Sequence, residues 1–365
     1  MAGASVAAHL AEFAKVRLLE MEGQPGYHST GRSAALFSET YGNAAIRALT
    51  RASRGFFYAP PQSFCSQPLV KPRSVLFAAR DGQGESLRAF LTSEDCEQLE
   101  PISADEALEL CPILKREGLI GAALDRHAAD IDVHELHQGY LRMLKSRGGV
   151  VTTSAEVSNL ERDGASWRVT TEHGTLRAGL IVNAAGAWAA QIAALAGAQT
   201  LGVQPLRRTA CLLDSPPGSD SDHWPMLLDI DERFYLKPDA GKLLLSPADE
   251  TPSAPCDAQP DEMDIAVAVD RLEAATTLTV RRIVRKWAGL RSFVADRTPV
   301  VGYDVKQPTF FWLAALGGYG IQTAPALSRL AASLVLNKPP DEQLLSCGLD
   351  VGQLAPERMA QSRLS

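Results

Sequence analysis

The chain has 365 residues, about two to three times the usual length of one domain, so a single small binding module is excluded. Lys and Arg number 36 against 43 Asp and Glu, a net charge of -7, which argues against a nucleic-acid surface built on bulk positive charge. Cys65, Cys96, Cys111, Cys211, Cys256 and Cys347 are scattered without a C-x-x-C pair, so neither a zinc ribbon nor a disulfide framework is indicated, and a reducing compartment fits. Residues 1–16 lack the basic start of a secretory leader, and His9 and Glu12 interrupt their apolar stretch. The cytoplasm is the expected address.

The opening, residues 2–14, is alanine-rich with Val6, Leu10 and Phe13 at helical spacing, and it runs into a short strand at 16–20. Residues 155–182 read as a three-strand meander turned at Asp163-Gly164 and at Glu172-His173-Gly174. Residues 178–198 are uncharged and long enough to cross a bilayer. Their change from Leu180-Ile181-Val182 to a glycine turn and then to helix-forming alanines describes a buried strand, loop and helix better. The Pro- and Ser-bearing stretch 215–221 reads as a loop. Strands follow at 226–230, 234–237 and 242–245, and a helix at about 263–276 begins after Asp261-Glu262. Near the end come a strand at 309–315, the turn Gly317-Gly318-Tyr319-Gly320 and an apolar helix at 324–336. A strand, glycine turn and helix can point backbone N–H groups and the positive end of a helix dipole at a phosphate. An ordinary corner needs glycine for positive φ just as much, and the same holds for Asn183-Ala184-Ala185-Gly186-Ala187-Trp188.

Glu20 closes a short strand after a small-residue helix, the place where a dinucleotide-binding unit holds ribose hydroxyls, although a solvated strand end looks the same. Such a unit opens with a strand and G-x-G-x-x-G, of which only the tail, Gly3 followed by Ala4, is present. Three stretches are more specific: Gln-Pro-Gly-Tyr-His-Ser-Thr-Gly-Arg-Ser-Ala-Ala at 24–35, Trp-Ala-Gly-Leu-Arg-Ser-Phe at 287–293, and Gly-Gly-Tyr-Gly-Ile-Gln-Thr at 317–323. Taken in order, they resemble the FAD-dependent D-amino-acid oxidase and sarcosine oxidase superfamily over nearly the entire chain, most closely its bacterial D-arginine dehydrogenase branch.

The resemblance implies a mixed α/β fold. A Rossmann-like FAD-binding domain (1–64, 126–200 and 291–345) would carry an inserted β-meander, beside an antiparallel-sheet substrate domain (65–125 and 201–290). It also implies a first strand and glycine turn upstream of Met1, so either the true start lies about a dozen residues earlier or the chain is a relative unable to hold FAD. FAD is expected to bind noncovalently, because no cysteine lies near the final turn, where some sarcosine oxidases tether flavin. The implied cofactor contacts are Gly3 and Glu20, then Ser29, Thr30, Arg32, Ser33 and Ala34. The backbone of Val157 would meet the adenine, Ala185 and Gly186 the pyrophosphate, and Gly317, Tyr319, Gly320, Ile321 and Thr323 the flavin side. No metal is expected.

The same resemblance assigns Arg291 as the substrate carboxylate clamp, a role that suits a planar guanidinium fork. Arg208 and the Tyr235 hydroxyl would support it. Tyr41 matches a mobile lid tyrosine, and Gly318 would offer its carbonyl to the substrate amine with Gln322 nearby. No residue stands out as a base, and none is required where hydride transfer from Cα to flavin N5 depends mainly on positioning. The expected reaction is oxidative deamination of D-amino acids to 2-oxo acids and ammonia. Leu36 replaces a histidine of the arginine-specific relatives and Val75 replaces their glutamate facing the guanidinium, so a more apolar side chain than arginine is expected. A sarcosine- or glycine-oxidase-like amine oxidase and a non-catalytic relative remain the alternatives. The partners expected are an amino acid and an electron acceptor of unknown kind, with no nucleic acid and no transmembrane segment.

Overall fold

The computed structural model describes residues 1–93 and 98–361, so Cys96 lies outside the described residues. The fold is mixed α/β, as the family resemblance implies. The opening helix Ala2–Leu10 buries Ala4, Val6, Ala7, Ala8 and Leu10 against the helices Val133–Ser146 and Ala324–Val335. Small side chains let the three axes approach closely. The helix stops four residues before the expected end, and Phe13, 54% exposed, lies beyond it.

The strand Arg17–Leu19 pairs in parallel with Val150–Thr152. A separate strand, Ile181–Asn183, pairs in parallel with Phe310–Ala314, which in turn pairs antiparallel with Val300–Tyr303. Gly3 joins the two sheets: a Cβ there would stand 3.2 Å from Leu18 Cδ1 and 3.6 Å from Ala184 Cβ. The meander forms as Asn159–Asp163, Ser166–Thr171 and Gly174–Ala178, seated by the buried Trp167, whose Nε1 donates to Thr309 Oγ1 at 2.9 Å. The single strand expected up to residue 182 is two elements, broken at Gly179-Leu180. Residues 181–195 form strand, 3-10 turn and helix as expected, and among the described residues no helix is long and apolar enough to cross a membrane.

The other half is built, among the described residues, on a nine-stranded sheet. Its long arms, Gln204–Asp214 and Ile283–Phe293, pair antiparallel along most of their length. Its pairings are antiparallel except that Met226–Asp229 runs parallel to Val75–Arg80. The helix Glu262–Ala275 covers it, started by Asp261, whose Oδ1 accepts from Met263 N at 2.8 Å.

Where the small sheet Leu36–Phe37, Ala129–Ile131 and Val70–Pro72 meets the large one, Asp130 lies between two cations. Its Oδ1 accepts from Lys237 Nζ at 2.8 Å and its Oδ2 from Arg73 Nε at 2.8 Å, and both cations are more than nine-tenths buried. Removing the anion strands two buried charges, so Asp130→Ala is expected to lower stability by about 3–5 kcal/mol, whereas Lys237→Met, which fits the same space, changes it by far less. Urea unfolding of the two variants checks this ordering.

Candidate active site

A cavity of about 1430 Å³ runs through the protein, larger than the roughly 300–1,000 Å³ of an ordinary small-ligand pocket. Glu20, Val157, Gly3, Thr30, Ala185, Arg291, Gly318 and Val75 all line it. Every residue assigned from the sequence lines it except Tyr319 and Thr323. Thr323 is fully buried at the start of the helix Ala324–Val335, with its hydroxyl donating to Tyr319 O at 2.8 Å. Tyr319 packs behind the wall, its ring 5.0 Å from that of Tyr41.

The loop 26–33 is sewn to the strand Ile283–Phe293. Ser29 Oγ donates to Leu290 O at 2.6 Å, and Trp287 Nε1 donates to Arg32 O at 3.0 Å. Ser33 Oγ donates to Thr30 O, and the Met1 ammonium donates to Thr30 Oγ1 at 2.9 Å. The Arg32 guanidinium is committed to protein: it donates to the carbonyls of Tyr27, Ala258 and Ala288 and pairs with Asp257. It therefore ties the loop to the sheet rather than standing as a spare charge for phosphate. His28, not singled out by sequence, also lines the cavity, with Nε2 2.7 Å from Glu22 Oε1 and its ring 4.7 Å from Trp188.

The Arg291 guanidinium lies over Gly318. A Cβ on Gly318 would stand 2.9 Å from Nη1, so only glycine leaves the fork this position. Burial works against the charge of Arg291, but the hydroxyls of Tyr41, Tyr235 and Tyr319 outweigh that loss and raise its pKa above the ordinary value. Burial, followed by the neighbouring Tyr41, pushes the Tyr319 phenol up to about 12, so it stays protonated near neutral pH. Ala315 and Gly317, both in the left-handed region at φ 57° and 55°, shape the turn below. A non-glycine residue held there is a local strain that surrounding structure must sustain.

Arg208 is 9% exposed and already paired, donating to Asp249 O at 2.8 Å and to Glu250 Oε1 at 3.2 Å. Glu250 also accepts two bonds from Arg297, at 3.0 and 2.7 Å. A substrate carboxylate would have to share Arg208 with that carboxylate. Gln322 is likewise engaged, donating to Thr50 Oγ1 at 3.0 Å and accepting from Ser38 N at 3.4 Å. Tyr41 sits on a fastened segment: the fully buried Asp125 accepts from Ser38 Oγ at 3.0 Å and Thr40 Oγ1 at 3.2 Å, while Arg47 Nη1 donates to Gly42 O at 2.6 Å.

Near Arg291, Leu36, Val75, Phe77, Ala210, Met226 and Leu228 line an apolar chamber of the cavity, in one cluster with Tyr235. Of this wall, sequence reading singles out Leu36 and Val75 but not Phe77, because the strand Val75–Arg80 is buried on both faces and shows no alternation. Among the described residues no cysteine lines the cavity, and burial pushes the thiols of Cys111 and Cys211 up to about 12.

A cavity of this volume, lined by the acidic strand end at Glu20, by the main-chain turns at 184–186 and 317–318 and by apolar side chains, fits a flavin dinucleotide. Residues 1–334 match the DAO family of FAD-dependent oxidoreductases. Glycine oxidase of Geobacillus kaustophilus (strain HTA426) is 26% identical over 246 residues, 66% of this chain and 63% of its own. Mitochondrial dimethylglycine dehydrogenase of Mus musculus is 24% identical over 266 residues, 67% of this chain and 30% of its own. The matches span less than two thirds of either relative's length. In fold, the chain is similar to the crystal structure of Geobacillus kaustophilus glycine oxidase, with a TM-score of 0.79 at 21% identity over 93% of this chain and 92% of that one. The chain belongs to the DAO family of FAD-dependent oxidoreductases, and FAD is its cofactor.

Proposed function

We propose that this protein oxidises the Cα–N bond of D-amino acids with apolar side chains, giving 2-oxo acids and ammonia after hydrolysis of the imine. The observation that carries this reading is the Arg291 fork over Gly318, ringed by tyrosine hydroxyls and opening on the chamber of Leu36, Val75, Phe77 and Met226. Bound FAD supplies an acceptor for the two electrons of the Cα–H bond. Arg291 holds the α-carboxylate through two parallel charge-assisted bonds, with the Tyr235 and Tyr41 hydroxyls completing its shell. The Gly318 carbonyl receives an amine N–H, and the apolar walls exclude water around the side chain. Orientation is thus fixed at three points, which supplies most of what this chemistry asks of the protein.

Glu20 and Val157 serve the adenosine end in this reading, and Thr30, Ala185 and Gly186 the middle. The cofactor domain comprises 1–64, 126–200 and 291–345, and the substrate domain 65–125 and 201–290, with the continuous strand Ile283–Phe293 carrying Arg291 from one into the other. Among the described residues Arg17–Leu19 and Ile181–Asn183 are edge strands, and Val6, Val16, Leu18 and Val182 line the cavity.

Similarity to glycine oxidase favours a second reading, oxidation of glycine or sarcosine, which leaves the apolar chamber unfilled. Anaerobic bleaching of the flavin spectrum by D-leucine, D-methionine, D-phenylalanine, D-arginine, glycine and sarcosine separates the two. Faster reduction by the three apolar D-amino acids is expected. A strong preference for D-arginine, glycine or sarcosine would overturn the assignment.

A further inference from the structure

Ser292 follows Arg291 on the strand Ile283–Phe293, and strand alternation turns it to the opposite face, the one on which Ala288 and Leu290 pack against Ala187. It is 6% exposed, it lines the cavity, and among the described residues its Oγ has no hydrogen-bond partner. A buried hydroxyl without a partner is costly, so native structures seldom keep one that nothing satisfies. Its backbone is engaged at the same point, since Ser292 O accepts from Gly317 N at 2.8 Å. The orphan hydroxyl therefore stands where the glycine turn meets the strand of the carboxylate clamp.

We propose that Ser292 is a hydrogen-bonding contact to the flavin–ribityl half of bound FAD. That half carries hydroxyls and carbonyls able to satisfy Oγ as donor or acceptor, whereas the walls around it are apolar. The inference rests on FAD filling this cavity. It also explains why serine follows Ala288 and Leu290 on the buried part of this strand face: the hydroxyl is a liability in the empty protein and an asset in the loaded one.

Ser292→Ala removes one oxygen and leaves the packing intact. Titrating FAD into apoprotein, followed by flavin fluorescence, is expected to show a rise in Kd of about 5- to 50-fold. Competition by ADP-ribose, which lacks the flavin and ribityl chain, should stay within about twofold of wild type, since the lost bond lies outside what it presents. The apoprotein should melt no lower than wild type, while the FAD-loaded form melts lower. An unchanged FAD Kd means the hydroxyl is met by solvent, and overturns the proposal. So does equal weakening of FAD and ADP-ribose, or a fall in apoprotein melting as large as in the loaded form. A wild-type protein that takes up no FAD removes the premise and the proposal together, an outcome distinct from a yellow Ser292→Ala indistinguishable from wild type.

Discussion

Arg291→Met is expected to lower kcat/KM for an apolar D-amino acid by about 10³-fold, or about 4 kcal/mol at 1.4 kcal/mol per decade, while FAD content stays at the wild-type level. Two charge-assisted bonds are lost together, and no neighbour can replace them. Arg208 is held by Asp249 O and Glu250, and Glu250 is itself clamped by Arg297. Methionine preserves most of the stem's volume, so the tyrosines keep their packing while the fork is gone. The decisive control is a primary amine of the same carbon skeleton without the carboxylate. For that poor substrate, wild type and Arg291→Met should differ by less than about tenfold, because the interaction removed was never made. Equal losses for amino acid and amine would show that Arg291 supports the site's shape rather than anchoring a carboxylate.

Arg291 stands out in the sequence through its surroundings, a glycine before it and an aromatic residue after it in a recognisable run. The strand that carries it does not. Residues 284–286 of Ile283–Phe293 are exposed and the remainder half-buried or buried, so no single period runs along it. The meander was readable because turn residues at 163–164 and 172–174 punctuate it, and the strand Ile181–Asn183, half-buried at Ile181 and Val182, could be told from a membrane segment by its β-branched residues and the glycine after it. Arg32 shows the opposite limit. Its sequence context suggests a charge for the cofactor, yet its partners Asp257, Ala258 and Ala288 lie more than two hundred residues away, and only folding discloses them. Arg208, Gln322 and Tyr41 are similar: position in the chain suggests an available side chain or a movable loop, and long-range partners decide how much of it is available.

Val75→Glu should redirect substrate choice from apolar to cationic side chains. Val75 is 1% exposed, lines the apolar chamber beside Phe77, Ala210 and Leu228, and stands directly across the strand pair from Asp125. A carboxylate there is desolvated and faces a second carboxylate on the neighbouring strand, so it is destabilised in two ways. Stability is expected to fall by about 2–4 kcal/mol, and kcat/KM for D-leucine by about 10²-fold, since an unpaired buried charge replaces apolar contact. D-arginine places a guanidinium against that carboxylate and relieves both penalties at once. The ratio of kcat/KM for D-arginine to that for D-leucine should therefore rise by about 10²- to 10³-fold, and D-arginine should raise the melting temperature of Val75→Glu more than D-leucine does. A variant that loses both substrates in proportion, with D-arginine giving no added thermal protection, would mean that the substrate side chain does not lie against Val75. The orientation assigned to the amino acid would then have to be reversed about the carboxylate clamp.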